Sequence, residues 1–522
     1  MQIVLLKKNE NGEFQKLTEV LPNGMIPNNC ILHKPTGAGA TYSEIKADRP
    51  SIIIEPNVPP IITKMNDPKH KNDNIIPVYE GVTVEHIIAK FTRHNPKIIT
   101  TPESFPKVKE AFEQMDIYMH GYAFMLVDEC HQNVTEAGYR PSINQIMDDF
   151  LLFRQKALVS ATPLAFSDPR LDDFEVLKVE PVEDILINID LYPTNNVLKT
   201  LETIIKKESD KPFFFYINSV DLTFSIMQKL EITGESSLFC SQEAVEKAKR
   251  EYKFKTAYSI WKPEYMRKYN FTTKRFQSAV DIIIPQHPLV FLVTDVFFAE
   301  HSMLDPETDV IQFIGRFRNG ITSVAHVANT NNRLPSLSPT FLKGYIRECE
   351  AVYDALGGFY KNATSKESKE AFHDAQKSVP FNQWLDKEGR KDYFAIDNFY
   401  HGEIVKSYYH DIEEFKLAYA KCPIFKQKVH NGYIFPVGDR ERLKRENKSL
   451  SQKEIAKEII EQLELIGKCE TKSGQDFKKE LQEIDPFIVE AYETIGKPMI
   501  EALNYSRPRI KEAMIMKRYE EK

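Results

Sequence analysis

Short apolar runs, each long enough for one buried strand, alternate with amphipathic segments through the first two-thirds of the chain. Residues 30–33, 51–55, 97–100, 124–127 and 157–160 are such runs. Strands without polar alternation are covered on both faces, and the segments between them read mostly as helices. This rhythm predicts a doubly wound parallel sheet. A second series follows, with strands expected at 213–217, 237–240, 290–294 and 310–314 and helices at 195–207 and 222–230. Residues 184–194 read as the boundary between the two series. Beyond about residue 330 strand-like runs thin out and helix formers take over. Ser451-Gln452-Lys453-Glu454 is a capping-box pattern, followed by Ile455, Ile459, Leu463 and Ile466 at helical spacing, with Gly467 as a stop. Ser506 and Pro508 open a further helix. The expected fold is therefore α/β. It has two parallel-sheet units in tandem, 1–188 and 189–330, and a mainly α-helical region at 331–522.

At 522 residues the chain has room for two to four domains with sizeable cores, and 42% hydrophobic with 28% charged residues is the profile of a soluble globular protein. A formal net charge of −6 leaves no global basic field, so any nucleic-acid contact must come from local patches. The six cysteines, at 30, 130, 240, 349, 422 and 469, form no CxxC pair and fit reduced thiols. The apolar run at the N-terminus is too short for a signal peptide, and no later run is long enough for a bilayer. The expected setting is the cytoplasm, that of a host cell if the protein is viral, with no membrane partner.

Four constellations carry chemistry. The first is Lys34-Pro35-Thr36-Gly37-Ala38-Gly39-Ala40-Thr41, between a strand and a helix expected at 41–46. Glycines let backbone N–H groups turn toward phosphate, the helix start adds a favourable dipole, and Thr41 stands where a hydroxyl would ligate Mg²⁺. The second is Asp128-Glu129-Cys130-His131 after an apolar strand. An Asp there can hold Mg²⁺ and a Glu can activate water. The third is Ser160-Ala161-Thr162 after another apolar run. The fourth is Gln312 through Gly320, where Arg316 and Arg318 flank one phenylalanine. Each alone has a plainer reading: a structural glycine turn, a solvated acidic turn, a hydroxylated turn, a surface arginine pair.

Together and in this order the four resemble the motifs of superfamily 2 helicases, in the DExH branch, across about residues 25 to 325. The resemblance implies two RecA-like domains with ATP and Mg²⁺ between them. Lys34, Thr36, Gly37, Ala38, Gly39, Ala40 and Thr41 would surround the phosphates, and Thr41 with Asp128 would hold the metal. Asp128, Glu129, Gln312, Arg316 and Arg318 would form the catalytic set. Ser160 and Thr162 would couple nucleotide state to a nucleic-acid track, DNA in preference to RNA. Thr101 resembles part of a strand-contact loop, and Thr273…Ala279-Val280-Asp281 has the spacing of the family's fifth motif, with Thr294-Asp295-Val296 as a competitor. Residues 213–217 then open the second domain and 290–294 supply the strand before the arginines.

Two departures stand out. Ala40 replaces the lysine that contacts the β- and γ-phosphates, and the second arginine follows Arg316 by two residues, not three. Either Lys34 swings toward the phosphates or it faces solvent and the loop lacks a cation. The implied activity is a nucleic-acid-dependent NTPase of helicase or translocase type. The alternative is a relative that keeps the fold without the motor, as a nucleic-acid-binding or scaffold protein, in a phage or mobile-element setting. The basic cluster Arg440, Arg442, Lys444, Arg445 and Lys448 is interleaved with acids, so it reads as a solvated linker or a nucleic-acid contact. The aromatics Phe399, Tyr400, Tyr408 and Tyr409 either stack bases or pack a helical core, and the C-terminal region is a candidate surface for protein partners.

Overall fold

The computed structural model describes residues 2–10, 14–183, 186–205, 210–278, 280–435, 438–439, 452–466, 478–479, 481–482 and 485–520. The basic cluster at 440–448, Ser451 and Gly467 lie outside the described residues. Two parallel sheets of eight strands each organise the chain. The first contains β1 (Gln2–Leu6), β2 (Cys30–His33), β3 (Ser51–Ile54), β4 (Ile75–Val78), β5 (Lys97–Thr100), β6 (Phe124–Val127), β7 (Gln155–Ser160) and β8 (Glu175–Pro181). Their order across the sheet is β1-β8-β2-β7-β6-β3-β5-β4. The expectation of a doubly wound sheet from the early apolar runs holds. Successive side chains leave a strand on opposite faces. Ile52 and Ile54 accordingly join one core with Ile98, Met125 and Val127, while Ile53 joins the other with Leu32, Ile99 and Leu126. Fully burying each such side chain contributes roughly 1.5–3 kcal/mol, which is why these strands carry no polar alternation.

The second sheet contains β9 (Ile187–Pro193), β10 (Phe213–Tyr216), β11 (Ser236–Phe239), β12 (Ala257–Tyr258), β13 (Tyr269–Thr272), β14 (Leu289–Thr294), β15 (Ser323–Ala328) and β16 (Phe425–Val429). Their order is β12-β11-β13-β10-β14-β15-β9-β16. Two expectations are corrected here. Residues 184–194 are not merely a junction, because Ile187–Pro193 is a strand between β15 and β16. Residues 310–314 are not a strand. Asp305 accepts a hydrogen bond from the Glu307 N–H at the start of the one-turn helix Pro306–Val310, which runs into the helix Ile311–Ile314. The apolar residues there, Val310, Phe313 and Ile314, bury one helical face, not alternate residues of a strand.

Past Asn329 the chain is mainly helical, with helices at Pro339–Asn362, Lys366–Ser378, Tyr393–Ser407, Ile412–Ala420, Gln452–Ile466, Pro486–Ala502 and Arg507–Glu520. Tyr393–Ser407 ties both units together. Asn398 donates to the Val134 carbonyl at 2.8 Å and Asp397 accepts from the Ser167 N–H at 2.9 Å, while His401 lies 3.0 Å from Asp305 of the second unit. Tyr409 is buried and its hydroxyl donates to the Leu304 carbonyl, Tyr408 packs against the core of the second unit, and Phe399 packs on Trp384. Among the described residues, no helix is long and apolar enough to cross a membrane.

Candidate active site

The sheet order brings four loops together. Strands β2, β7, β6 and β3 are neighbours and run parallel, so their C-terminal ends lie along one edge. Those ends carry, in turn, the glycine loop, Ser160, the Asp128–Glu129 pair and Glu55. Ligands of open α/β sheets bind at such an edge. Here the edge opens into a cavity of about 710 Å³, within the size of a ligand pocket.

Gly37 and Gly39 have φ of 78° and 88°, in the left-handed region that favours glycine, and the helix Ala40–Lys46 starts directly after them. Thr36, Gly37, Gly39, Ala40 and Thr41 all line the cavity. Ala38 does not; it turns into the core beside Leu32. Lys34 is buried and lines the cavity, so it does not face solvent. The Thr41 hydroxyl bonds to an Asp128 carboxylate oxygen and lies 3.3 Å from Glu55 Oε1. This all-oxygen set suits Mg²⁺, a hard cation that takes one or two protein carboxylates and completes its shell with phosphates and water.

Glu129 occupies a left-handed backbone position, φ 50°, one of the sparsely populated conformations that cluster at functional sites. Burial alone would raise its carboxyl, but Arg316, Lys34 and His131 beside it hold it down, to about 2. Arg316 arrives from the second unit and is itself buried. Its Nη2 donates to Glu129 Oε1 at 3.1 Å and to Gln312 Oε1 at 2.6 Å. Gln312 Nε2 donates to Glu129 Oε2 and to the Thr162 hydroxyl, both at 3.1 Å. Ser160 Oγ accepts from the Thr162 N–H at 3.0 Å and lies 2.9 Å from His131 Nδ1. Burial pushes the His131 imidazole down to about 4, so it is neutral at pH 7. One connected network thus joins Ser160, His131, Thr162 and Glu129 of the first unit to Gln312 and Arg316 of the second.

Arg318 closes the other side. It pairs with Asp281 at 2.6 Å and donates to the Gly315 carbonyl at 2.9 Å. The units touch so closely that a Cβ at Gly315 would come within 2.5 Å of the Thr36 side chain, and one at Gly37 within 2.9 Å of Arg318. Val280 and Asp281 line the cavity, but Thr273 and Thr101, at the ends of β13 and β5, do not. Thr101 is buried and its carbonyl accepts from the Phe105 N–H at 3.0 Å; the Thr273 N–H donates to the Phe239 carbonyl at 3.1 Å.

Three residues of the site escaped the sequence reading: His131 as a network member, Glu55 and Lys64. Lys64, on the helix Val58–Asn66, pairs with Glu55 at 2.5 Å and lines the cavity. A signal for Glu55 was present, since it follows the apolar run at 52–54 much as Asp128 follows Phe124–Val127. Lys64 had none, because a lysine on a surface-patterned helix is ordinary.

No protein-family model matches the chain, and no curated protein matches it in sequence. Among solved structures it is similar to a DEAD box protein from the hyperthermophile Methanococcus jannaschii, at 15% identity over 61% of this chain and 87% of that one, TM-score 0.32. It is also similar to S. cerevisiae Dbp5 bound to RNA and ADP BeF3, at 14% identity over 58% and 79%, TM-score 0.39. A third is the E. coli DExH-box NTPase HrpB, at 14% identity over 58% and 39%, TM-score 0.36. These neighbours include DEAD-box and DExH-box proteins.

Proposed function

We propose that the chain is a nucleic-acid-dependent NTPase of the helicase or translocase type, with ATP bound in the cavity between its two sheets. One observation carries the reading: Thr41, Asp128 and Glu129 from the first unit meet Arg316 and Arg318 from the second across a single cleft. In this reading the backbone of residues 37–39 cradles the phosphates and Thr41 with Asp128 holds Mg²⁺, which neutralises charge on the transferring phosphoryl group. Glu129 orients and deprotonates the attacking water, and the two arginines stabilise the developing negative charge. The 3.1 Å pair of Arg316 with Glu129 has a consequence for timing. While paired, Glu129 is a weak base; when Arg316 turns to the phosphate, the carboxylate loses its partner and becomes more basic. Water activation then waits on the second unit's engagement with nucleotide.

The nucleic-acid part of the reading is supported by the order of the motifs and by the Thr162–Gln312 contact, through which a track held by the first unit would be felt at Glu129. DNA is the proposed track, and the cytoplasm, a host's if the protein is viral, the proposed setting. Steady-state ATPase assays with single-stranded and duplex DNA and RNA test the reading, with turnover expected to rise when the right nucleic acid is added. Ala40 favours a second reading, a nucleic-acid-binding scaffold without a motor. That reading takes over if nucleic acid binds and no ATP is bound or turned over.

A further inference from the structure

We infer that Lys64 supplies the phosphate-binding ammonium that position 40 lacks. The inference rests on the nucleotide reading of the cavity. Ala40 lines the cavity next to Thr41, whose hydroxyl bonds to Asp128, so a lysine at position 40 would enter the cavity from there. Lys64 comes to that place from another element, the helix Val58–Asn66 that follows β3. Its Nζ lies on Glu55 Oε1, the same oxygen that is 3.3 Å from the Thr41 hydroxyl, and that hydroxyl also bonds to Asp128. The charge of Lys64 therefore faces Glu55 and Asp128, with Asp281 of the second unit also acting on it.

Lys16, Lys34 and Lys69 also line the cavity; Lys16 and Lys69 are exposed, Lys16 with its Nζ 3.4 Å from the Gly37 carbonyl, and Lys34 is buried. The charge of Lys34 acts on Glu129, at the end of the cavity where water would be activated, while the Lys64 ammonium is held against Glu55 and Asp128. The Glu55–Lys64 pair also makes physical sense as a parked state. A buried carboxylate beside Asp128 needs a cation, and a lysine needs a carboxylate until phosphate arrives. When a triphosphate enters, its oxygens replace Glu55 as partners of the ammonium, and the three or four negative charges of the ligand no longer meet an uncompensated loop.

The test is titration of the full chain with MgATP by calorimetry. Lys64→Ala is expected to weaken MgATP binding at least about tenfold, as loss of a charged hydrogen-bond donor to phosphate should. Lys34→Ala should weaken it by less than Lys64→Ala does. Ala40→Lys placed on the Lys64→Ala background should bring affinity back to within about threefold of the parent, because it returns an ammonium to the same place by another route. That rescue separates a ligand contact from a merely structural lysine. Since Lys64→Ala leaves Glu55 buried and unpaired, Lys64→Ala with Glu55→Gln is measured beside it, with thermal unfolding of each. If folded Lys64→Ala or the paired variant binds MgATP as the parent does, or if Lys34→Ala removes binding in its place, the inference is overturned. If the parent itself binds no MgATP, the nucleotide reading fails and this inference with it.

Discussion

The two ends of the cleft are built differently. At the end near Glu129, direct contacts interlock: Arg316 with Glu129, Gln312 with both Glu129 and Thr162, Ser160 with His131. Each group there is held by another group of the set, in a buried space where an unpartnered charge is costly. At the phosphate-loop end, glycines supply backbone only, and the cations stand outside the loop: Lys16 on the Gly37 carbonyl, Lys64 on Glu55, and Arg318 on Asp281. The difference teaches where a sequence can drift. A loop that works through backbone N–H groups can lose its own lysine if a neighbouring helix delivers one, whereas an interlocked network cannot lose a member without leaving another buried and unpaired.

The sharpest way to break the comparison is at the interlocked end. Arg316→Ala should reduce ATP turnover by about 10³ to 10⁵, the effect of removing an arginine that acts on the transferring group. It also strands the Glu129 carboxylate, so a loss of roughly 3–5 kcal/mol in stability is expected alongside. Turnover should therefore be measured at a temperature where the variant is folded by circular dichroism. Normal turnover from folded protein would make Arg316 purely structural. Glu129→Gln comes next, with turnover down about 10² to 10⁴ and MgATP affinity little changed, because an amide keeps the shape and cannot act as base. Turnover that survives would remove Glu129 from the chemistry. Gln312→Ala is expected to cost less, about tenfold to a hundredfold in nucleic-acid-stimulated turnover. It removes three hydrogen bonds, to Glu129, Thr162 and Arg316, but no charge. Stimulation by nucleic acid that is unaltered would sever the proposed link between track and Glu129.

Much of this arrangement was legible in the chain. The five strands expected in the first sheet fell where the apolar runs placed them, because a strand covered on both faces is apolar throughout, as at Ile52, Ile53 and Ile54; β1, β4 and β8 were not read. The glycine loop and Asp128–Glu129 meet because each follows a strand of that kind, and Arg316 reaches them from the end of the helix Ile311–Ile314. What failed did so for physical reasons. Val310 to Ile314 is too short an apolar run to reveal its period, and the Asp305–Pro306 helix start was the cue that would have decided it. Ile187, Ile189 and Leu191 alternate with Asn188, Asp190 and Tyr192, yet the eye takes a half-polar strand near a junction for a linker. Lys64 could not be read at all, since its meaning lies in a contact with Glu55 that only the packing of helix on sheet creates.

The smallest expected effect concerns acid, and it tests how dry the interlocked end is. His131 is buried and neutral, its imidazole lowered from 6.5 to about 4 by burial first, against the pull of Glu129. A histidine depressed in the folded state binds its proton more readily in the unfolded chain. Its contribution to stability is thus fully present above 6.5 and is lost as pH falls from 6.5 toward 4. By about pH 6 the loss should be about 1 kcal/mol relative to about pH 7.5, and it should grow on further acidification. His326, on β15 and buried against Tyr419, its imidazole lowered to about 3 by burial, adds a loss of the same sign. The prediction is therefore a comparison of slopes. Chemical denaturation of the parent, His131→Gln and His326→Gln across this range should show a shallower acid loss in each variant than in the parent. Glutamine keeps a polar partner for Ser160 at position 131 but cannot take up the proton. If His131→Gln follows the parent's curve while His326→Gln flattens it, water reaches His131 in the folded chain. The Glu129 end would then be wet, and its contacts no more demanding than those of the phosphate loop.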